Sequence, residues 1–144
     1  MSPKQQLDQA LVDAAIALLE TRFPGKEGIA AAMYIEDRKI LTSVFFEPEW
    51  GSAGLCAEAG AICEAEKLNK RVVASVCVSR LPGESPILIL TPCGICQERL
   101  FHWGPKVEVA VPAPSYPTKW EGKRLEEVQP FHWVNAFRVD KADP

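Results

Sequence analysis

Long apolar runs are missing from this 144-residue chain. A bilayer-spanning helix needs about 20 consecutive apolar residues, and no stretch here approaches that. Runs of lysine and arginine are missing too. Sixteen basic residues against nineteen acidic ones give a formal net charge of −3 and a pI near 5.4. No basic face offers itself to a phosphate backbone, so a nucleic-acid polymer is a poor candidate partner. Internal repeats and low-complexity tracts are absent. Met1-Ser2-Pro3-Lys4-Gln5-Gln6 leads into an amphipathic segment, not into the apolar centre of a secretion signal. The expectation is a cytoplasmic protein.

What is present is an ordinary globular composition, 47% apolar and 24% charged, with five cysteines. Their number is odd, and two stand in CxxC spacing. Without an export signal, this pattern favours metal binding or catalysis over a disulfide framework. The length suits one domain over residues 1–144.

Periodicity supplies the elements. Leu7, Leu11, Ala14, Ala15 and Leu18 recur at helical spacing, with Asp8, Asp13 and Glu20 mostly between them, which predicts a helix over residues 3 to about 21. Pro24 and Gly25 stop it. Residues 28–35 and 40–46 read as a β-hairpin around a polar turn. Residues 47–55 form a loop, and the alanine-rich stretch 56–68 forms a helix opening near Cys56. Residues 71–79 predict a central strand, 87–90 a short one, 93–102 a short helix with Pro92 at its start, and 106–111 another strand. Beyond Pro112 the chain reads as irregular, with a short helix near 123–128 and a docked aromatic stretch over 131–137. This order predicts a three-layer α/β/α domain around one mixed sheet of about five strands.

Two short stretches carry chemistry, Cys56-Ala57-Glu58 and Pro92-Cys93-Gly94-Ile95-Cys96. Three cysteines can hold a zinc ion and leave its fourth position open, as a catalytic site requires; a closed structural site needs four ligands. Helix starts near Cys56 and near Cys93 and Cys96 favour the thiolate form that binds metal. Glu58, two residues after the first cysteine, is placed to exchange protons with a metal-activated water.

Cys-x-Glu followed by Pro-Cys-x-x-Cys, with the glutamate as acid and base, is the signature of zinc nucleobase deaminases. The chain resembles the cytidine deaminase superfamily in its three-cysteine branch, which includes free-nucleoside cytidine deaminases and blasticidin-S deaminases. The likeness rests on Cys56-Ala57-Glu58, on Thr91-Pro92-Cys93-Gly94-Ile95-Cys96, and on the element order from about residue 4 to 111. It implies hydrolytic deamination of a cytosine-type nucleoside, with one zinc ion held by Cys56, Cys93 and Cys96. Glu58 would carry the proton to the ring nitrogen and then to departing ammonia. The resemblance further implies that backbone around Ala57 and Thr91-Pro92 meets the base edge, and that the chain is a homo-oligomer, a tetramer or a dimer.

The chain also departs from the family pattern. Nucleoside-type members carry Asn-x-Glu before the zinc helix, where this chain has Phe45-Phe46-Glu47. Ala59 and Gln97 stand where three-cysteine members often have arginine, although Arg99 follows two residues on. Phe23 is the nearest match to the family's phenylalanine before the first strand. The missing Asn leaves any ribose contact to Glu47; cytidine and deoxycytidine remain the first expected substrates and a blasticidin-type antibiotic the second.

Blander readings stand beside these. Cys63 and Cys77 read as small apolar residues, and His102 as the partner of a helix C-terminus. Trp50, Phe131 and Trp133 suit a core or a subunit interface as well as a base-stacking role. The rival from another class is a non-catalytic zinc module with Cys77 or His102 as fourth ligand, in which Glu58 has no purpose.

Overall fold

The computed structural model describes residues 4–83 and 85–137. Helix α1 runs over Gln9–Arg22. It opens later than the apolar periodicity suggests because Asp8 caps it: the Asp8 carboxylate accepts the Leu11 N–H at 3.1 Å, satisfying a donor that the first turn leaves free. Strands β1 (Gly28–Ile35) and β2 (Ile40–Val44) form the expected hairpin. Helix α2 spans Ala59–Leu68 and ends at Asn69, whose φ of 54° gives a left-handed cap. Then follow β3 (Val72–Arg80), β4 (Ile87–Leu90), α3 (Gly94–Leu100), a 3-10 turn over Phe101–Trp103, and β5 (Glu108–Ala113).

The sheet is mixed and holds six strands in the order β2-β1-β3-β5 and then β6, with β4 also paired to β3. The extra strand is β6 (Tyr116–Arg124), which lies where the sequence reads as irregular. The turn before it contains Ser115 at φ 63°, and a bulge separates Pro112 from Ala113. A polar strand containing Pro117 is tolerated because it lies at the sheet edge, where a missing N–H donor costs little. Helix α4 (Leu125–Val128) falls inside the range expected for a short helix. No helix among the described residues is long and apolar enough to cross a membrane.

Alternation along the central strands separates the two faces of the sheet. On β1, Ala30, Ala32 and Tyr34 face the cluster with Leu11, Val12, Ala15 and Leu19 of α1; on β3, Ala74, Val76 and Val78 do the same. Met33 and Ile35 point the other way, to Ala61 and Ala65 of α2 and Leu100 of α3. Helices therefore cover both faces, giving the three layers expected. Each fully buried leucine of these clusters contributes roughly 1.5–3 kcal/mol.

One edge of β3 is shared, and this positions the site. Ala74 and Ser75 pair in parallel with β5, whereas Cys77 through Arg80 pair antiparallel with β4. Leu90 lies opposite Cys77. The chain thus leaves the sheet three residues before Cys93, at the level of Cys77.

Helix α2 lies so close to β2 that Gly60 has no room for a side chain: a Cβ there would sit 2.8 Å from Ser43 Cβ. A Cβ on Gly94 would meet nothing within 4 Å. We expect Gly60→Ala to destabilise the fold by about 1–3 kcal/mol through overpacking. Gly94→Ala should be neutral or slightly stabilising. Thermal unfolding of the two variants side by side checks this contrast.

Candidate active site and metal centre

Sulfur atoms of Cys56, Cys93 and Cys96 lie within 4.8 Å of one another. Cys56 and Cys93 are 3.4 Å apart, far beyond the roughly 2.05 Å of a disulfide, and all five cysteines are free. Sulfurs bound at about 2.3 Å in a tetrahedral centre would be about 3.8 Å apart, so the cluster has the dimensions for one zinc ion. The donor set is three soft thiols, which suits zinc. Among the described residues, neither Cys77 nor His102 joins the group. A structural zinc module would need such a fourth ligand.

Each sulfur is held differently. Cys93 is the N-cap of α3 and is exposed. Burial acts to raise its thiol, but the N–H groups of Cys96 and Ile95 and the Cys56 thiol outweigh burial and hold it below the ordinary value. Cys96 lies inside α3 and is fully buried; burial first, then the charges of Glu58 and the other thiols, pushes it far up. The sequence places Cys56 at a helix start. Instead it precedes α2 in a turn closed by the Ala59 N–H on its carbonyl at 3.0 Å, and Glu58 occupies the N-cap. Cys56 therefore lacks the free N–H groups of a first turn, and burial together with Cys93 raises its thiol. The helix-terminus argument holds for Cys93 alone.

Charge compensation comes from α3. Arg99 Nη1 lies 3.7 Å from Cys96 Sγ. Burial works against the guanidinium charge, but the Cys96 contact and the three thiols prevail and strengthen its hold on the proton. Gln97 makes no such contact. Its Nε2 donates to the Pro92 carbonyl at 2.7 Å, fixing the turn that precedes the CxxC.

Glu58 is 3% exposed and is not part of the sulfur group. It nevertheless stands against it, because its charge acts on Cys56, on Cys96 and on Cys77 of β3. Burial, then the neighbouring Glu58, pushes the Cys77 thiol well up, so Cys77 serves as an apolar wall with Ala31 and Ala57. The Ala57–Glu58 turn is fastened to β2. Ser43 Oγ donates a short hydrogen bond to the Ala57 carbonyl and accepts the Ala61 N–H at 3.0 Å. No sequence motif points to Ser43; only the Gly60 contact with β2 brings it to this turn.

The other sequence candidates gather next door. Phe23, Phe45 and Glu47 line a cavity of about 490 Å³ together with Ile29, Ser79 and Arg80. Phe45 also packs against the Ala31, Ala57 and Cys77 cluster, joining the cavity wall to the Glu58 turn. Phe23, the C-cap of α1, lies flat on Gly28. Pro92 is buried. Its carbonyl, and that of Ala57, are taken by Gln97 and Ser43.

Cys63, expected as a buried apolar residue, is exposed on α2. His102 is also exposed, 3.5 Å from Glu66. In the C-terminal aromatic stretch His132 docks, stacking on Phe101 at 3.9 Å and meeting Glu98 at 2.6 Å, and the Trp133 indole N–H donates to Glu98 at 3.0 Å although its ring is mostly exposed. Phe131, Trp133 and Phe137 face solvent, as does Trp50.

No protein-family model matches the sequence, and no curated protein matches it. Solved structures do. The cytidine deaminase of Bacillus anthracis superposes with a TM-score of 0.82 and 43% identity, over 90% of this chain and 91% of that one. The cytidine deaminase of Mycobacterium leprae is 24% identical with a TM-score of 0.64, over 85% of this chain and 96% of its own. That of Burkholderia pseudomallei is 20% identical with a TM-score of 0.67, over 89% and 100%. The last two show the fold. The first, with a buried carboxylate beside three thiols, places the chain among hydrolytic enzymes. It belongs to the cytidine deaminase family.

Thiols must lose their protons to bind metal. Cys56 and Cys96 hold theirs above the ordinary thiol range. At neutral pH, zinc must therefore displace protons, and its affinity should rise with pH. Calorimetry in buffers of different ionisation enthalpy should detect proton release. A flat affinity from about pH 6 to 8 would contradict the thiol assignment. Arg99→Gln should weaken zinc roughly 10–100-fold, the usual cost of losing an outer-shell partner.

Proposed function

We propose that the chain is a single-domain, zinc-dependent hydrolase that deaminates cytidine and deoxycytidine to the uracil nucleosides with release of ammonia. One observation carries this reading. A buried glutamate stands against three clustered thiols without joining them, in a chain 43% identical to a cytidine deaminase. Three protein ligands leave a coordination position for water, and a free carboxylate beside it has a proton-transfer role available.

Zinc, when bound by Cys56, Cys93 and Cys96, supplies the Lewis acidity that makes water a nucleophile near neutral pH. The protein does the rest. Glu58 accepts a proton from the attacking water and delivers it to N3 of the base. It then takes the second proton from the oxygen now bonded to the ring carbon and passes it to the amine; the C–N bond breaks, ammonia leaves, and the oxygen stays as the new carbonyl. Ser43 fixes the turn that aims Glu58, and Gln97 fixes the turn that aims Cys93. Arg99 offsets the net negative charge of three thiolates around a divalent ion. Ala57 and Pro92 are buried, and Phe23, Phe45 and Glu47 line the cavity that receives the sugar.

Five unbridged cysteines support an enzyme of the reducing cytoplasm. The large apolar side chains left in solvent, Trp50, Phe131, Trp133 and Phe137, support a homo-oligomer.

A Glu58→Gln variant tests the mechanism. It should retain one zinc per chain and lose at least about 10⁴-fold in kcat, the upper range for removing an acid–base group. Zinc retained with turnover intact would refute the role of Glu58. A panel of cytidine, deoxycytidine, cytosine and blasticidin S, followed by ultraviolet absorbance and ammonia release, fixes the substrate. Turnover of blasticidin S alone would move the reading to an antibiotic deaminase.

A further inference from the structure

At the end of the sheet where β3 and β5 begin, a second cavity of about 280 Å³ opens. Its charged lining is Lys4, Arg71, Lys106, Arg124 and Glu108. Four cations to one carboxylate is an unusual concentration in a chain whose net charge is −3. The acid offsets one unit of their charge and, among the described residues, makes no direct ion pair with any of them. Both Glu108 oxygens accept backbone N–H groups, from Gln6 at 2.9 and 2.8 Å and from Leu7 at 3.1 Å. That clasp folds the N-terminal segment over the cavity mouth and brings Lys4 to it. Arg124 shares its charge with Glu126 at 3.3 Å. Among the described residues, Lys4, Arg71 and Lys106 form no ion pair with an acidic side chain.

The cavity is remote from the deaminase site. Six residues of extended chain separate Arg71 from Cys77, which adjoins Glu58. At about 3.3 Å per residue that is roughly 20 Å. Like charges gathered in one concavity repel, and the repulsion is relieved when an anion enters. Two guanidinium groups offer forked donors that match phosphate oxygens, and two ammonium groups add point charge. The volume accommodates a phosphate group or two, leaving any base and sugar outside.

We propose that this cavity is a binding site for a phosphate-type oxyanion, free or as the phosphate tail of a nucleotide. Occupancy stabilises the fold by mass action, because the cation cluster exists only in the native state.

The probe is inorganic pyrophosphate, titrated calorimetrically into the full chain at about 0.15 M salt, where exposed charges beyond roughly 8 Å are screened. One saturable site per chain and a rise in Tm are expected. The double variant Arg71→Gln, Lys106→Gln should bind at least tenfold more weakly, with unchanged circular dichroism. Should it fail to fold, Lys106→Gln alone, at an exposed position, is expected to weaken binding at least threefold. Adenosine triphosphate forms a second arm. Tighter binding than pyrophosphate, with competition between them, identifies a nucleotide tail; equal or weaker binding identifies the free anion. Absence of saturable pyrophosphate binding, or binding undiminished in the variants, overturns the proposal.

Discussion

Three sulfurs drawn from segments 37 residues apart and held within 4.8 Å of one another are the constraint on which the rest of this structure depends. Left to themselves they oppose ionisation. Unit charges 4 Å apart repel by about 4 kcal/mol at an effective dielectric near 20, and burial of Cys96 adds to the cost. The pattern of shifts follows: only the thiol at the α3 N-cap is lowered, while the other two are raised. A divalent cation held by the three sulfurs would resolve the conflict. Arg99 supplies the remaining positive charge from α3.

Holding the sulfurs together is work for the sheet. Because β4 pairs with the second half of β3, Leu90 sits opposite Cys77 and the Pro92 turn follows directly. Because Gly60 lets α2 approach β2, Ser43 reaches the Ala57 carbonyl and fixes the turn bearing Glu58. The two stretches thus meet through backbone register and one hydroxyl. The opposite end of β3 carries a different electrostatic character, with cations around the Glu108 clasp. One end of β3 therefore adjoins Glu58 and the thiol cluster, and the other a group of cations.

Much of this was legible in the sequence. The apolar runs of β1 and β3, helical spacing before residue 22, and the two cysteine motifs are local patterns, and they specify elements and candidate ligands locally. What was not legible depends on neighbours in space. Cys56 lies outside its helix because Glu58 takes the cap position. Strand β6 exists despite Pro117 because it lies at the edge of the sheet, where a missing N–H is tolerated. Ser43, an ordinary strand serine by sequence, matters only because Gly60 lies against it. Gln97 bonds a carbonyl, and it is Arg99, two residues on, that reaches a sulfur.

The central claim is that the three-thiol cluster, loaded with one zinc ion, makes this chain a deaminase. The direct measurement is a stepwise zinc titration of chelator-stripped protein, with the initial rate of cytidine deamination read at each step. The account predicts no turnover without zinc and a linear rise that levels off at one equivalent per chain. Full turnover in protein shown by elemental analysis to hold no metal would contradict it.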